Sequence, residues 1–156
     1  MNGLWLGPTA VDLIFERMQL RGMLPTRAGS ALCYGGNAED RRLQLAGLFD
    51  EIAASLTLPE QPGAFDFVTA EMELDLPVLE KMLKLLRPGG AFALHFSHLS
   101  LLRRRRSNDM KKVGVILCRN DIWEREQVRP DLLIGKKMMR NVEIPQPPRL
   151  RLVASR

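Results

Sequence analysis

Residues 65–96 open with Phe65-Asp66-Phe67-Val68-Thr69-Ala70 and close with Leu86-Arg87-Pro88-Gly89-Gly90-Ala91-Phe92-Ala93-Leu94-His95-Phe96. The outer pieces, Phe65–Ala70 and Ala91–Phe96, are short apolar runs with the length and composition of buried strands. Between them Leu79, Met82, Leu83 and Leu86 recur at helical spacing. Asp75 can cap that helix, and Pro77 falls in its first turn, where a missing N–H costs nothing. Pro88-Gly89-Gly90 stops the helix and turns the chain. Strand, helix, strand in this order is a βαβ crossover, so the sequence predicts a parallel sheet. The strand Ala91–Phe96 is apolar on both faces apart from His95, as a central parallel strand should be.

Working outward, Val11, Ile14, Phe15 and Met18 make one apolar stripe, which predicts a helix over Thr9–Arg21 stopped by Gly22. Residues 23–30 read as a linker. Ala31–Tyr34 reads as the first strand, and Gly35-Gly36-Asn37 as the turn after it. Asn37 is a good N-cap, with Glu39 and Asp40 in the first turn behind it. Leu45, Leu48, Phe49, Ile52 and Leu56 extend that helix to residue 56, and Pro59 and Pro62-Gly63 end the unit. On the far side, 113–118 is β-branched and predicts a strand, 120–130 a short charged connector, and 131–137 the last strand. So short a link predicts an antiparallel pair at the sheet edge. Pro145, Pro147 and Pro148 predict an extended tail. The expected organisation is an N-terminal helix and linker over 1–30, an α/β domain over 31–137, and an extended tail over 138–156.

A chain of 156 residues is one domain by length, and 46% hydrophobic with 26% charged residues is ordinary for a globular protein. No apolar run approaches the ~20 residues needed to span a bilayer. Cys33 and Cys118 are too few for a disulfide framework and read as buried thiols, which fits a reducing intracellular compartment, cytosol or organelle interior such as the mitochondrion. The net charge is +5, and the segment 103–112 alone carries four Arg and two Lys against Asp109. The basicity is therefore local, and reads as one basic loop.

The segment 65–96 resembles the second half of a class I S-adenosylmethionine-dependent methyltransferase, in which the pattern FDxVxA…LLRPGG opens the fourth and fifth strands. The resemblance covers roughly 31–137 and implies a truncated Rossmann-like fold. It places the cofactor at the turn after the first strand, so that Gly35, Gly36 and Asn37, with Glu71 beyond the fourth strand, would be the cofactor-binding residues of a functional pocket. Two departures weaken that implication. The family's motif is an acid followed by Gly-x-Gly-x-Gly, and this chain lacks both the acid and the third glycine. The family also has two more strands before its fourth, the first ending in an acid that grips the ribose. Residues 57–64 leave no room for them, and Glu60 is a poor substitute between prolines. This shortened half is similar to the methyltransferase-like domain of anamorsin, whose cysteine-rich tail has no counterpart here.

A Gly-Gly-Asn turn also serves a tight strand-to-helix connection with no ligand, and that reading is preferred. Glu71, Glu73 and Asp75 read as a solvated loop capping the next helix. His95 and His98 sit where acid–base groups often lie, but the sequence surrounds them with no catalytic partner, and they read as structural. Neither a catalytic set nor a metal-ligand spacing is identified. Arg103, Arg104, Arg105, Arg106, Lys111 and Lys112 would meet an anionic partner, whether an acidic protein, RNA or an anionic lipid surface.

The leading expectation is a non-catalytic methyltransferase-like accessory subunit, a pseudoenzyme working by contact with other protein subunits and needing no cofactor. The alternatives are a small methyltransferase with a divergent S-adenosylmethionine pocket, and an RNA-binding module built on 103–112.

Overall fold

The structure is a computed structural model that describes residues 10–97, 103–129 and 131–139. The elements run α1 (Ala10–Leu20), β1 (Ser30–Gly35), α2 (Ala38–Leu45), β2 (Glu51–Ser55), β3 (Phe65–Glu73), α3 (Leu76–Lys84), β4 (Leu86–Ser97), α4 (Arg103–Arg119), β5 (Ile122–Arg129) and β6 (Leu132–Lys137). They form one six-stranded sheet in the order β2-β1-β3-β4-β6-β5. The first four are parallel, β6 is antiparallel to β4, and β5 is antiparallel to β6. This is the mostly parallel α/β architecture expected.

The crossover β3–α3–β4 forms as its sequence dictates. Asp75 caps α3, its Oδ1 accepting the Val78 N–H at 3.2 Å. Leu79, Met82 and Leu83 face the sheet fully buried. At the other end of α3, the buried Lys137 Nζ donates to the carbonyls of Leu83 (3.0 Å) and Leu86 (3.3 Å). That cation satisfies carbonyls a helix end leaves open. The Pro88-Gly89-Gly90 turn lies inside β4 as an irregularity, with Gly89 at φ +84°.

Helices cover both faces. α3 and α4 pack on one, over Leu32, Val68, Ala70, Phe92 and Leu94. α1 and α2 cover the other, where Ile14, Met18 and Leu45 bury against Ala31, Phe67, Ala91 and Ile134. Phe15, Phe49 and Phe67 join there, the last two stacked with centroids 5.4 Å apart. Each fully buried Phe, Leu or Met contributes about 1.5–3 kcal/mol by leaving water, so these faces dominate the stability.

Four expectations are corrected. The stripe Leu45–Leu56 is not one helix: α2 ends at Leu45, Gly47 turns the chain at φ +87°, and β2 follows. One of the two strands thought missing is therefore present, and among the described residues no second one lies between β2 and β3. Residues 113–118 are helical, the C-terminal half of α4. The connector 120–130 contains a strand, β5, which makes the edge hairpin with β6. The basic loop is likewise the start of α4, since Arg103–Arg106, Lys111 and Lys112 all fall in that helix. His98 and the tail beyond Met139 lie outside the described residues.

Candidate functional site

The C-terminal ends of β1, β2, β3 and β4 converge at one rim of the sheet, the place where open parallel sheets bind ligands. Gly35 closes β1 at φ +85°, and a Cβ there would overlap the Glu71 carbonyl oxygen. Only glycine allows both the conformation and the approach. The Gly36 N–H donates to that same carbonyl at 2.9 Å. Asn37 then turns the chain in the left-handed region at φ 54° and makes no cap bond with its side chain. Its Nδ2 instead donates to Glu71 Oε1 at 2.6 Å. Asn37 thus stands at the N-cap of α2, with its side chain bracing the turn after β1 against β3.

Glu71 is not in a solvated loop. β3 continues through it to Glu73, and its side chain is only 8% exposed. Its second oxygen, Oε2, lies 3.1 Å from His95 Nδ1. The parallel register sets the two residues side by side on β3 and β4. The other ring nitrogen, Nε2, lies 2.9 Å from Asp131 Oδ2 on the turn entering β6. His95 is 5% exposed, and each of its nitrogens faces a carboxylate oxygen. The result is a chain of contacts, Asn37–Glu71–His95–Asp131, tying β1, β3, β4 and the β5–β6 turn together.

Beneath it lies a second buried polar group. Arg41 on α2 is fully buried and donates to the Tyr34 carbonyl at 2.5 Å. Burial pushes its guanidinium below the usual arginine range, partly offset by Cys33 and Glu71 nearby. Burial also pushes the Cys33 thiol up to about 11, so it is a protonated, inert sulfhydryl near neutral pH. Thr69 Oγ1 on β3, equally buried, has no hydrogen-bond partner among the described residues.

Beside this network, an open cleft of about 380 Å³ separates the ends of β1 and β2, lined by Gly35, Gly36, Asn37, Glu39, Ser55 and Leu56. β2 ends in Ser55, whose Oγ is turned back onto Thr57, donating to its carbonyl at 2.7 Å. The structure brings Gly35, Gly36, Asn37 and Glu71 together at this rim. Sequence reasoning missed Asp131, Arg41 and the pairing of His95. The basic set sits elsewhere, on α4, where Lys111 and Lys112 are exposed.

No protein-family model matches this sequence, and no curated protein matches it. Solved structures do. The T. thermophilus 16S rRNA methyltransferase RsmC, in complex with AdoMet and guanosine, superposes with TM-score 0.52 at 17% identity over 81% of this chain. The chain spans 40% of that enzyme's length. The complex between the Haloferax volcanii Trm112 methyltransferase activator and a methyltransferase gives TM-score 0.51 at 11% identity, covering 90% of this chain and 99% of that one. The antibiotic-resistance methyltransferase Kmr gives 0.51 at 16% identity, covering 78% and 93%. The chain has a class I methyltransferase-like fold, and at these identities the likeness shows the fold alone.

Proposed function

We propose that this protein is a methyltransferase-like accessory subunit that performs no methyl transfer and acts through contacts with other proteins. One observation carries the reading: the polar groups at the rim are spent on one another. Both Glu71 oxygens and both His95 nitrogens have internal partners, and the turn amide of Gly36 is bonded to β3. A cofactor site needs such groups aimed outward at a ligand. Here they hold β1, β3, β4 and the β5–β6 turn together.

Exposed apolar side chains supply the contact surface such a subunit needs. Trp123 on β5 and Val115 on α4 are each 58% exposed. Val115 borders an open groove between α3 and α4, rimmed by Glu80, Lys112 and Arg119. A large aromatic in water is the commonest interface anchor.

A second reading keeps S-adenosylmethionine as ligand, favoured by the cleft between Gly35–Asn37 and Ser55–Leu56. Calorimetric titration with S-adenosylmethionine and its demethylated product separates the two. Absence of heat up to millimolar ligand is the expected result. Micromolar binding that a Gly36→Asp change abolishes would overturn the accessory-subunit reading.

A further inference from the structure

We propose that two copies of this chain pair antiparallel through the outer edges of β2, joining their sheets across a two-fold axis that passes beside Ala53. The proposal stands apart from the accessory-subunit reading, which rests on the rim groups. The two edges of the sheet are built differently. β5 carries Glu124, Arg125 and Glu126, and its pairing with β6 shifts register near both ends. Charges and bulges of this kind guard an edge against other chains. β2 is Glu51-Ile52-Ala53-Ala54-Ser55, with no lysine or proline, and it pairs with β1 in unbroken register. Among the described residues no strand pairs with its outer side. Glu51 and Ala53 are exposed. Leu48 and Leu56, which flank the strand, are 44% and 79% exposed.

A second copy fits this edge because the edge is complementary to itself. The Glu51 N–H donates inward to the Gly29 carbonyl at 3.0 Å. Ladder alternation therefore turns the N–H and C=O of Ile52 and Ala54 outward. In an antiparallel pair such residues must stand opposite one another. An axis beside Ala53 achieves this: Ile52 of each copy exchanges both backbone bonds with Ala54 of the other. The same register sets Glu51 opposite Ser55 and Ala53 opposite Ala53. No like charges meet, and the smallest side chains lie at the closest approach. An axis beside Ile52 or Ala54 would instead set strand ends against loop residues.

Side chains at the ends of the strand agree with this pairing. Leu48 precedes β2 and Leu56 follows it. Antiparallel pairing brings Leu56 of each copy to the end where Leu48 of the other lies, so the exposed apolar residues come together. Ile52 and Ala54 face the α1/α2 core of their own copy, and pairing lays the two cores along one continuous sheet face. So short a strand buries less than the roughly 1,600 Å² of a standard interface. The association is therefore weak and depends on concentration.

Sedimentation equilibrium on the full chain tests this. The apparent mass should climb from the 17.7 kDa of one chain toward twice that value as concentration rises. A53K alone and A53E alone should stay at one chain, because like charges would face each other on the axis. An equal mixture of the two should associate at least as readily as the native chain. Ala53 is exposed, so neither change disturbs the core. A53C gives an independent check in a C118S background, where the only other cysteine is the buried Cys33. It should form a disulfide-linked dimer on mild oxidation, and C118S alone should not. Facing residues of a non-hydrogen-bonded pair stand about 4.5 Å apart at Cα, within disulfide range. A native chain that stays monomeric at every concentration would overturn the proposal. So would association that A53K and A53E leave intact, a mixture that fails to restore it, or an A53C/C118S protein that stays reduced.

Discussion

Strand β3 is buried at every residue from Asp66 to Glu71, whereas β2, two places away in the same sheet, has no fully buried residue. β3 has neighbours on both sides and helices on both faces. Among the described residues β2 has one neighbour, β1, and packs on one face only. Where burial is complete, side-chain size and glycine positions are fixed by packing, and the methyltransferase-like pattern survives. Where the sheet is thin, at β2, the side chains stay half-exposed and packing leaves their identity open. Burial falls off across the sheet from β3 to β2, and the constraint of packing on sequence falls off with it.

The largest expected effect probes the buried half. Phe92 is fully buried, and its ring fills the space that a Cβ on Gly135 would need. Phe92→Ala should cost about 3–5 kcal/mol by leaving a cavity. Ile52→Ala on the half-buried β2 should cost well under that. Urea denaturation of the two variants checks the contrast, and equal losses would break it.

Next come the turn and the network that join the halves. Gly35→Ala puts a side chain at φ +85° and into the Glu71 carbonyl. It should destabilise by about 1–3 kcal/mol, visible as a lower melting temperature with no ligand present. That outcome would mean the glycine is required by the fold alone. Glu71→Leu should cost about 1–3 kcal/mol by leaving His95 and Asn37 without their acceptor. A Glu71/His95 double-mutant cycle should show strong coupling, and additive losses would show that the contacts are not a unit.

Legibility followed the same gradient. The crossover 65–96 could be read because each strand was a buried run, and the helix between them had a cap, a stripe and a stop. The false helix to residue 56 came from reading Leu45, Leu48, Phe49 and Ile52 as one period. Gly47, in the middle of that stretch, was the available signal for a break. Residues 113–118 were read from β-branched composition, yet Met110, Val113 and Leu117 stand at helical spacing and pack on the α3 face. β5 carries Glu124, Arg125 and Glu126 because it is an edge strand, and its charge disguised it as a loop. Within the site, Glu71 beside His95 follows from parallel register once the crossover is known. Asp131 could not be found that way. It depends on β6 reversing direction and inserting next to β4, a pairing no local pattern encodes.

The smallest expected effect lies on the other edge, where α1 is tied to β5. Arg17 and Arg21 both reach Glu126, the latter at 2.9 Å. The hydrogen bond and charge of Arg17, with help from Arg21, hold the Glu126 carboxyl below its usual range. A carboxyl whose value falls on folding stabilises the protein above its unfolded value, about 4.3, and loses that contribution as pH drops through the folded one. Glu126→Gln should therefore lower the melting temperature slightly at pH 7, and the difference from the native protein should vanish in acid. It should also shrink in high salt, since Arg17 and Arg21 are 41% and 52% exposed and solvent screens them. A loss as large as that of Phe92→Ala would mean that this edge, unlike β2, is held by charge. The contrast would then be one between two kinds of edge, with burial no longer the deciding variable.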